Sequence, residues 1–540
     1  LTPRTLPVGD AALTVELGDT IDPGLNARVR ALDRGLRANS FPGLRETLPS
    51  YRSLLVVYDP AALSFAAACE AVLERAGDLE TGDAAGALHR IPVRYGGDDG
   101  PDLDAVAGAR GLTPERLVAL HAGREYVAFL LGFRPGFAYL GLLDEALETP
   151  RRPTPRVRVP AGSVAIAGRQ TGIYPSASPG GWNLIGRTTL RLFDAHRDPP
   201  SLIQPGDRVR FVPVRELPEA APAAQEPPAG DAALEVLEPG LLTTVQDAGR
   251  FGWRRVGVTW AGPMDAVAHA AANHAVGNPG GAAALECTVA GPTLRILTAT
   301  RLAVAGADLG AVLHRSDLGV WPVPVGKEFL ARAGNILTFT GRRSGCRASL
   351  AAAGGLAVPP ILGSRATDLG AGFGGVAGRS LRSGDRLAVG AERGARRPSR
   401  AASLVGEVCV RVILGPQDDH FTPDALEQFL SAAWELGAAS DRVGCRLAGP
   451  RLTHHAAAEI VTDGMLPGCV QVPPDGQPIV MMADAPTTGG YPKIATVITA
   501  DQPLLAQLVP GASRVRFAAI SVEKAQAGHR ASGGEDAPAG

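Results

Sequence analysis

The residues able to do chemistry gather at glycine-rich turns. The densest run passes from Pro160 through Gly162, Gly168, Gln170, Thr171, Gly172 and Tyr174 to Ser178, Gly180, Gly181 and Arg187. Glycines let backbone N–H groups approach a ligand, and Gln170, Thr171, Ser178 and Arg187 add side-chain donors, a set suited to a carboxylate, carbonyl or phosphate. In the second half, acids adjoin similar turns: Asp247, Asp265, Asp418, Asp419, Asp441 beside Arg442, Asp463 and Asp484. Any single one reads as a structural ion pair; together they favour a shared cleft that holds Mg²⁺-nucleotide or polarises an amide. Lys493 is one of only three lysines, with Lys327 and Lys524. In a chain that otherwise uses arginine, its compact ammonium is an electrostatic candidate.

The same scarcity excludes a nucleotide phosphate loop, since Gly326-Lys327 is followed by Glu328 where a hydroxyl is required. The six cysteines lie far apart with no C-x-x-C pair, so zinc knuckles and disulfide frameworks are not expected. Among ten histidines only His454-His455 and His269/His274 are close, and neither spacing puts two ligands on one helix face. No protein-bound transition metal is expected. Catalytic triads assemble in space, so covalent catalysis stays open.

These segments need elements to position them. The first 90 or so residues read as β-α-β-β-α-β: a strand at 11–16, a helix capped by Asp22-Pro23 with Leu25, Val29, Leu32 and Leu36 on one face, a strand at 54–58, a helix at 61–75, and a closing strand at 88–94. That order predicts a ferredoxin-like α/β domain. Beyond it, short strand-like runs alternate with Gly and Pro turns, and helices are clear only at 113–121, 264–275 and 423–435, which suggests barrels or sandwiches. An internal echo points to a duplicated barrel unit. Val159-Pro160, Gly162, Thr171 to Pro175 and Val209-Arg210-Phe211 parallel Val472-Pro473, Gly476, Thr488 to Pro492 and Val515-Arg516-Phe517. The resulting division is 1–88 α/β, 89–217 barrel, 218–233 linker, 234–392 and 404–524 two further barrel regions, and 525–540 a disordered tail, with a shorter polar break at 391–403.

Composition agrees. The 540 residues carry 53 basic and 54 acidic groups, net −1, which offers no footprint for nucleic acid or an anionic membrane. No 18-residue apolar run is present, and LTPRTLPVGD is not a secretory leader, so a cytoplasmic protein is expected.

Several long segments identify a resemblance. GFRPGFAYLG (132–141), VPAGSVAIAG (159–168) and the run from Gln170 to Thr188 resemble the allophanate hydrolase subunit 1 family, which includes the B components of 5-oxoprolinases and KipI. LLTTVQDAGRFGW (241–253), GPMD (262–265), ALECTVAGP (284–292), LGSRATD (362–368), GPQDDHF (415–421), SDRVGCRL (440–447), the run 463–479 and TTGGYPKIATV (487–497) resemble the subunit 2 family, which includes the C components of 5-oxoprolinases and KipA. The chain thus looks like a B–C fusion. The resemblance implies cyclophilin-like barrels after the α/β domain, and ATP-dependent opening of 5-oxo-L-proline to L-glutamate with Mg²⁺ and a separate A component of LamB/YcsF type. The expected roles are Asp265, Asp419, Arg442 and Lys493 at the activated phosphate, and Gln170, Thr171, Tyr174, Ser178, Arg187, Thr488 and Tyr491 around the substrate. A homo-oligomer is compatible with all of this. Two other readings stay open. One is the carboxyltransferase component of a biotin-dependent urea or amide carboxylase, without biotin of its own because no lysine follows methionine. The other is a KipI–KipA-like regulator of a histidine kinase.

Overall fold

The computed structural model describes residues 3–77, 86–219, 231–392, 394 and 406–531. Most of the expected linker at 218–233, most of the break at 391–403 and the last nine residues of the expected tail lie outside these.

The N-terminal sheet is antiparallel throughout, with strands Arg4–Pro7, Ala12–Glu16, Ser53–Tyr58 and Leu44–Pro49 in that spatial order. Period-2 alternation gives it two apolar faces. Leu13, Val15, Leu54 and Val56 meet helices Pro23–Ala38 and Phe65–Gly77, while Ala12, Leu48, Leu55 and Val57 pack on Met465, Leu466 and Met481 far along the chain. Asp22 caps the first helix by accepting from Leu25 N at 2.7 Å, and Val29, Leu32 and Leu36 are fully buried, each contributing about 2 kcal/mol. The second helix starts four residues later than expected, because Asp59 holds 61–63 in a turn and Ser64 bonds Ala67 N.

The strand at 88–94 does not close this sheet, as a ferredoxin-like domain would require. Leu88–Tyr95 belongs to the next body, and Arg4–Pro7 holds the sheet edge instead. A four-residue strand ending in proline carries almost no alternation, so periodicity does not reveal it.

Two closed seven-stranded barrels follow, and their ring orders correspond strand for strand. In the first, Leu88–Tyr95, Asn183–Arg187, Ser163–Ala167, Gln170–Ile173, Ala138–Gly141, Tyr126–Leu131 and Arg208–Pro213 succeed one another around the ring. In the second the succession is Glu407–Leu414, Lys493–Val497, Cys469–Gln471, Ile479–Met481, Gly444–Ala448, Trp434–Leu436 and Arg514–Ala519. Each ring closes through one parallel pair between its first and last strands. Each also carries a short outer ribbon, Arg156–Val159 with Ser178–Gly180 and Asp463–Gly464 with Thr488–Gly489. The duplication is therefore real, but the residue correspondence is one hairpin away from the expected one. The ribbon register sets Ser178 against Thr488, so Ser178 to Asn183 matches Thr488 to Lys493 and places Asn183 where the second barrel has Lys493. Only the closing block, Val209-Arg210-Phe211 with Val515-Arg516-Phe517, is aligned as expected.

The region 234–392 is not a barrel. It forms two open sheets of six and five strands that share one core, including Leu234, Leu285, Leu294, Val304 and Leu350. Alternation along a strand is the same in an open sandwich and a closed ring, so the pattern alone does not distinguish them. The tail expectation also fails at its start. Helix Val522–Ala531 packs buried Val522 and Ala525 with Ile413, Ile498 and Phe65, and its buried Gln526 bonds Asp10, Tyr58 and Phe65 of the N-terminal domain. Among the described residues no helix is long and apolar enough to cross a membrane.

Candidate active site

The N-terminal sheet and the second barrel meet around a charged cleft of 330 Å³ lined by Arg4, Glu16, Gly18, Asp19, Arg52, Gln417, Asp419 and His420. Glu16 ends the strand Ala12–Glu16 and turns its carboxylate between two guanidiniums, Arg4 at 3.3 Å and Arg52 at 3.4 Å. Burial raises its pKa above the ordinary carboxylate range; Arg52 pulls down, and Asp463 pushes up again. Arg4 also reaches Asp419 at 3.9 Å, and Asp419 itself is exposed.

Beneath the cleft lies the Lys493 ammonium, fully buried and donating to Asp463 Oδ2 at 2.6 Å and Gly464 O at 2.8 Å. Burial alone would raise Asp463, but Lys493 wins and holds it below the usual range, helped by Ser53 Oγ at 2.5 Å. The backbone of Lys493 is braced by both the side chain and the backbone of Gln417: Lys493 N donates to Gln417 Oε1 at 3.2 Å, and the Gln417 backbone N donates to Lys493 O at 3.1 Å. Gln417 Nε2, also buried, has no hydrogen-bond partner among the described residues. A buried donor without a partner is costly, so this amide is suited to a ligand oxygen.

The other expected residues go elsewhere. Arg442 is buried in a clasp, bidentate to Asp484 at 2.8 and 2.9 Å, bonded to Glu286, and donating to Gly262 O at 2.8 Å. Burial raises Asp484 to about 6 against the pull of Arg442. Asp265 caps helix Ala266–Ala275 through Ala268 N at 2.8 Å and accepts from Gln507 at 2.6 Å. Both tie the open-sheet region to the second barrel, and neither lines the charged cleft.

Thr171 is buried in the first barrel, donating to Ala165 O at 3.0 Å, with His121 Nε2 2.9 Å from its hydroxyl. Burial drops His121 to about 3, so this imidazole stays neutral. Tyr174 is packed edge-on against Phe137 at 5.3 Å, with burial pushing its phenol to about 12. The same aromatic cluster includes Tyr51 from the N-terminal domain, and Thr488 of the second barrel enters it by accepting from Phe133 N at 3.2 Å. The N-terminal domain and both barrels thus meet here. Ser178 is buried with no hydrogen-bond partner for its hydroxyl among the described residues, Gln170 and Tyr491 are half-buried, and Arg187 is exposed, donating to Ala161 O at 3.1 Å. Of the expected phosphate-side residues, Asp419 lines the cleft and Lys493 lies beneath it behind Gln417, while Tyr174 and Thr488 of the expected substrate set meet at Phe133 in the aromatic cluster.

Arg4, Glu16 and Arg52 lie outside the expected set. The one signal the sequence offers for them is a charged residue closing a buried strand just before Gly18-Asp19. A second cavity, 310 Å³, separates the first barrel from 371–373, but its Arg191 and Asp194 pair with each other at 3.4 Å. Among the described residues no group of three acids, histidines or cysteines is disposed around a metal position.

Residues 256–519 match the carboxyltransferase domain, subdomain A and B, and residues 3–203 match subdomain C and D. The chain is 40% identical to the C component of 5-oxoprolinase from Escherichia coli K12, over 54% of its own length and 93% of that protein. It is 40% identical to the B component of 5-oxoprolinase from Bacillus subtilis 168, over 39% of its length and 92% of that protein. The crystal structure of TTHA0988 superposes with a TM-score of 0.83 at 38% identity, covering 94% of this chain and 99% of that one.

Proposed function

The chain belongs to the carboxyltransferase-domain family that includes the B and C components of 5-oxoprolinase, and from this we propose that it is a natural fusion of those two. It opens 5-oxo-L-proline to L-glutamate at the expense of ATP, together with a separate A component of LamB/YcsF type. The observation that carries the reading is that complementary halves of one chain span two separate proteins, each nearly end to end. The working units are the α/β domain 1–88, the barrel 89–217 and the regions 234–392 and 404–524, the two barrels being of cyclophilin-like type.

A lactam carbon is a poor electrophile. Transfer of the ATP γ-phosphoryl group to the lactam oxygen releases ADP and activates the lactam carbon; water adds to that carbon, the C–N bond breaks with the nitrogen taking a proton, and a second water hydrolyses the resulting acyl phosphate to glutamate and phosphate. The cleft suits this chemistry. Arg4 and Arg52 offset phosphate charge, and Gln417 Nε2 donates to a developing oxyanion. Glu16, ionised above its raised pKa, takes the proton of the attacking water. Asp19 and Asp419 are the carboxylates available to Mg²⁺ arriving with the nucleotide. Lys493 holds the floor of the cleft through Asp463 and Gln417.

The test is glutamate release from the purified chain with and without a LamB/YcsF-type protein. Release should require ATP, 5-oxo-L-proline and the partner together, and no release with any such partner sinks the proposal. The family description supports a second reading, carboxyl transfer within a biotin-dependent urea or amide carboxylase. Turnover of free carboxybiotin would favour it.

A further inference from the structure

One flank of the open-sheet region is unfinished. Strand Gly319–Pro322 is the outer edge of the six-stranded sheet, and Glu328–Ala331 is the outer edge of the five-stranded one. The two follow each other in the chain, and buried Val323 anchors the link between them. Along this flank Leu318, Val320 and Trp321 are 58%, 58% and 57% exposed, and Leu330 is 47% exposed. Trp321 pairs with Leu313, which is buried in the sandwich core, so the tryptophan stands on the core face of the sheet where, among the described residues, no second layer covers it.

The backbone along this edge is also open. Val323 N donates to Ala311 O at 2.9 Å, which fixes the alternation of the hairpin. Gly319 and Trp321 then bond inward to their partners, while the N–H and C=O of Val320 point away from the sheet. Soluble proteins seldom leave such an edge both apolar and unpaired.

The surrounding charge identifies the occupant. Arg315 and Arg332 bracket the single carboxylate of Asp317 at 3.0 and 3.9 Å, Arg301 stands opposite Leu330 and 3.9 Å from Glu328, and Lys327 is exposed in the link. Four cations against two acids disfavour pairing of this edge with a second copy of itself. We propose that this flank is the docking site of a separate protein with an acidic surface, which adds a strand beside Gly319–Pro322 and covers Trp321. The inference rests on the oxoprolinase reading in one respect: that reading requires such a partner, the A component.

The experiment titrates the full chain with the LamB/YcsF-type protein by calorimetry and follows glutamate release in parallel. Trp321→Lys and Val320→Pro should each weaken association about 30-fold or more, as loss of a central interface residue does. Arg332→Glu should weaken it less and reduce its salt dependence. Thermal unfolding of each chain alone reports that the fold is intact. Release of glutamate should recover at high partner concentration, because the cleft is untouched. Wild-type affinity in both Trp321→Lys and Val320→Pro overturns the proposal, as does failure of the wild type to bind the partner. A wild-type dimer dispersed by Trp321→Lys overturns it in favour of self-association. Association that depends on Trp321 but yields no glutamate upholds the surface and removes the activity. Glutamate release indifferent to both variants does the reverse.

Discussion

Glu16 shows how a single side chain acquires a task from its surroundings. An isolated glutamate titrates near pH 4.3; here burial lifts that value despite Arg52 and Arg4 close by. A water-activating base works only when ionised, so activity should fall as the pH drops through this raised value. Glu16→Gln removes the titration, and we expect kcat to fall about 100-fold with loss of the acidic limb of the pH–rate profile. A pH profile recorded on wild type and variant checks this, and an unchanged limb assigns the base elsewhere. Sequence could mark Asp265, Arg442 and Lys493 as charges beside turns. It could not show that Asp265 is met by Gln507, Arg442 by Glu286 and Lys493 by Asp463, because those partners are 30 to 242 positions away. Whether a charge is locked within the fold or left facing a cleft is a property of space.

At the scale of elements, legibility followed local chemistry. Asp22, Thr113, Asp265 and Thr422 cap helices from adjacent positions, and all four helices stood out in the sequence. Helix Val522–Ala531 did not, since its stability comes from what it meets. Gln526 Nε2 donates to Asp10 O and Tyr58 Oη, both at 2.9 Å, while its Oε1 accepts from Phe65 N at 3.1 Å. Gln526→Ala strands these buried groups and should cost roughly 1–3 kcal/mol. Hydrogen exchange at Phe65 N–H and along the helix, with urea denaturation, reads the loss. A protected Phe65 amide in the variant contradicts it. The strand at 88–95 teaches the same lesson in reverse: its existence was legible, but its neighbour was not, because Arg208–Pro213 lies more than a hundred residues away.

At the scale of the molecule, duplication was visible as repeated glycine, proline and aromatic punctuation. The correct register emerges only from the ribbons, where Ser178 and Thr488 occupy one place. Punctuation recurs at every hairpin of such a barrel, so a shift of one hairpin matches almost as well as the true alignment. The cleft was not legible at all, for it exists only where the N-terminal sheet lies across the second barrel.

Helix Val522–Ala531 brings the last described residues of the chain onto the sheet that contains its first. The first and last described segments therefore belong to one body, and the fold does not dictate which half is made first. A circular permutant opened between 219 and 231, with a flexible linker long enough to run the length of the sheet from 531 to 3, should reach the same structure with the halves in inverted order. Its melting temperature should lie within about 5 °C of the parent, as expected when no core contact is lost. A permutant that fails to fold would show that synthesis order matters here beyond the contacts it finally makes.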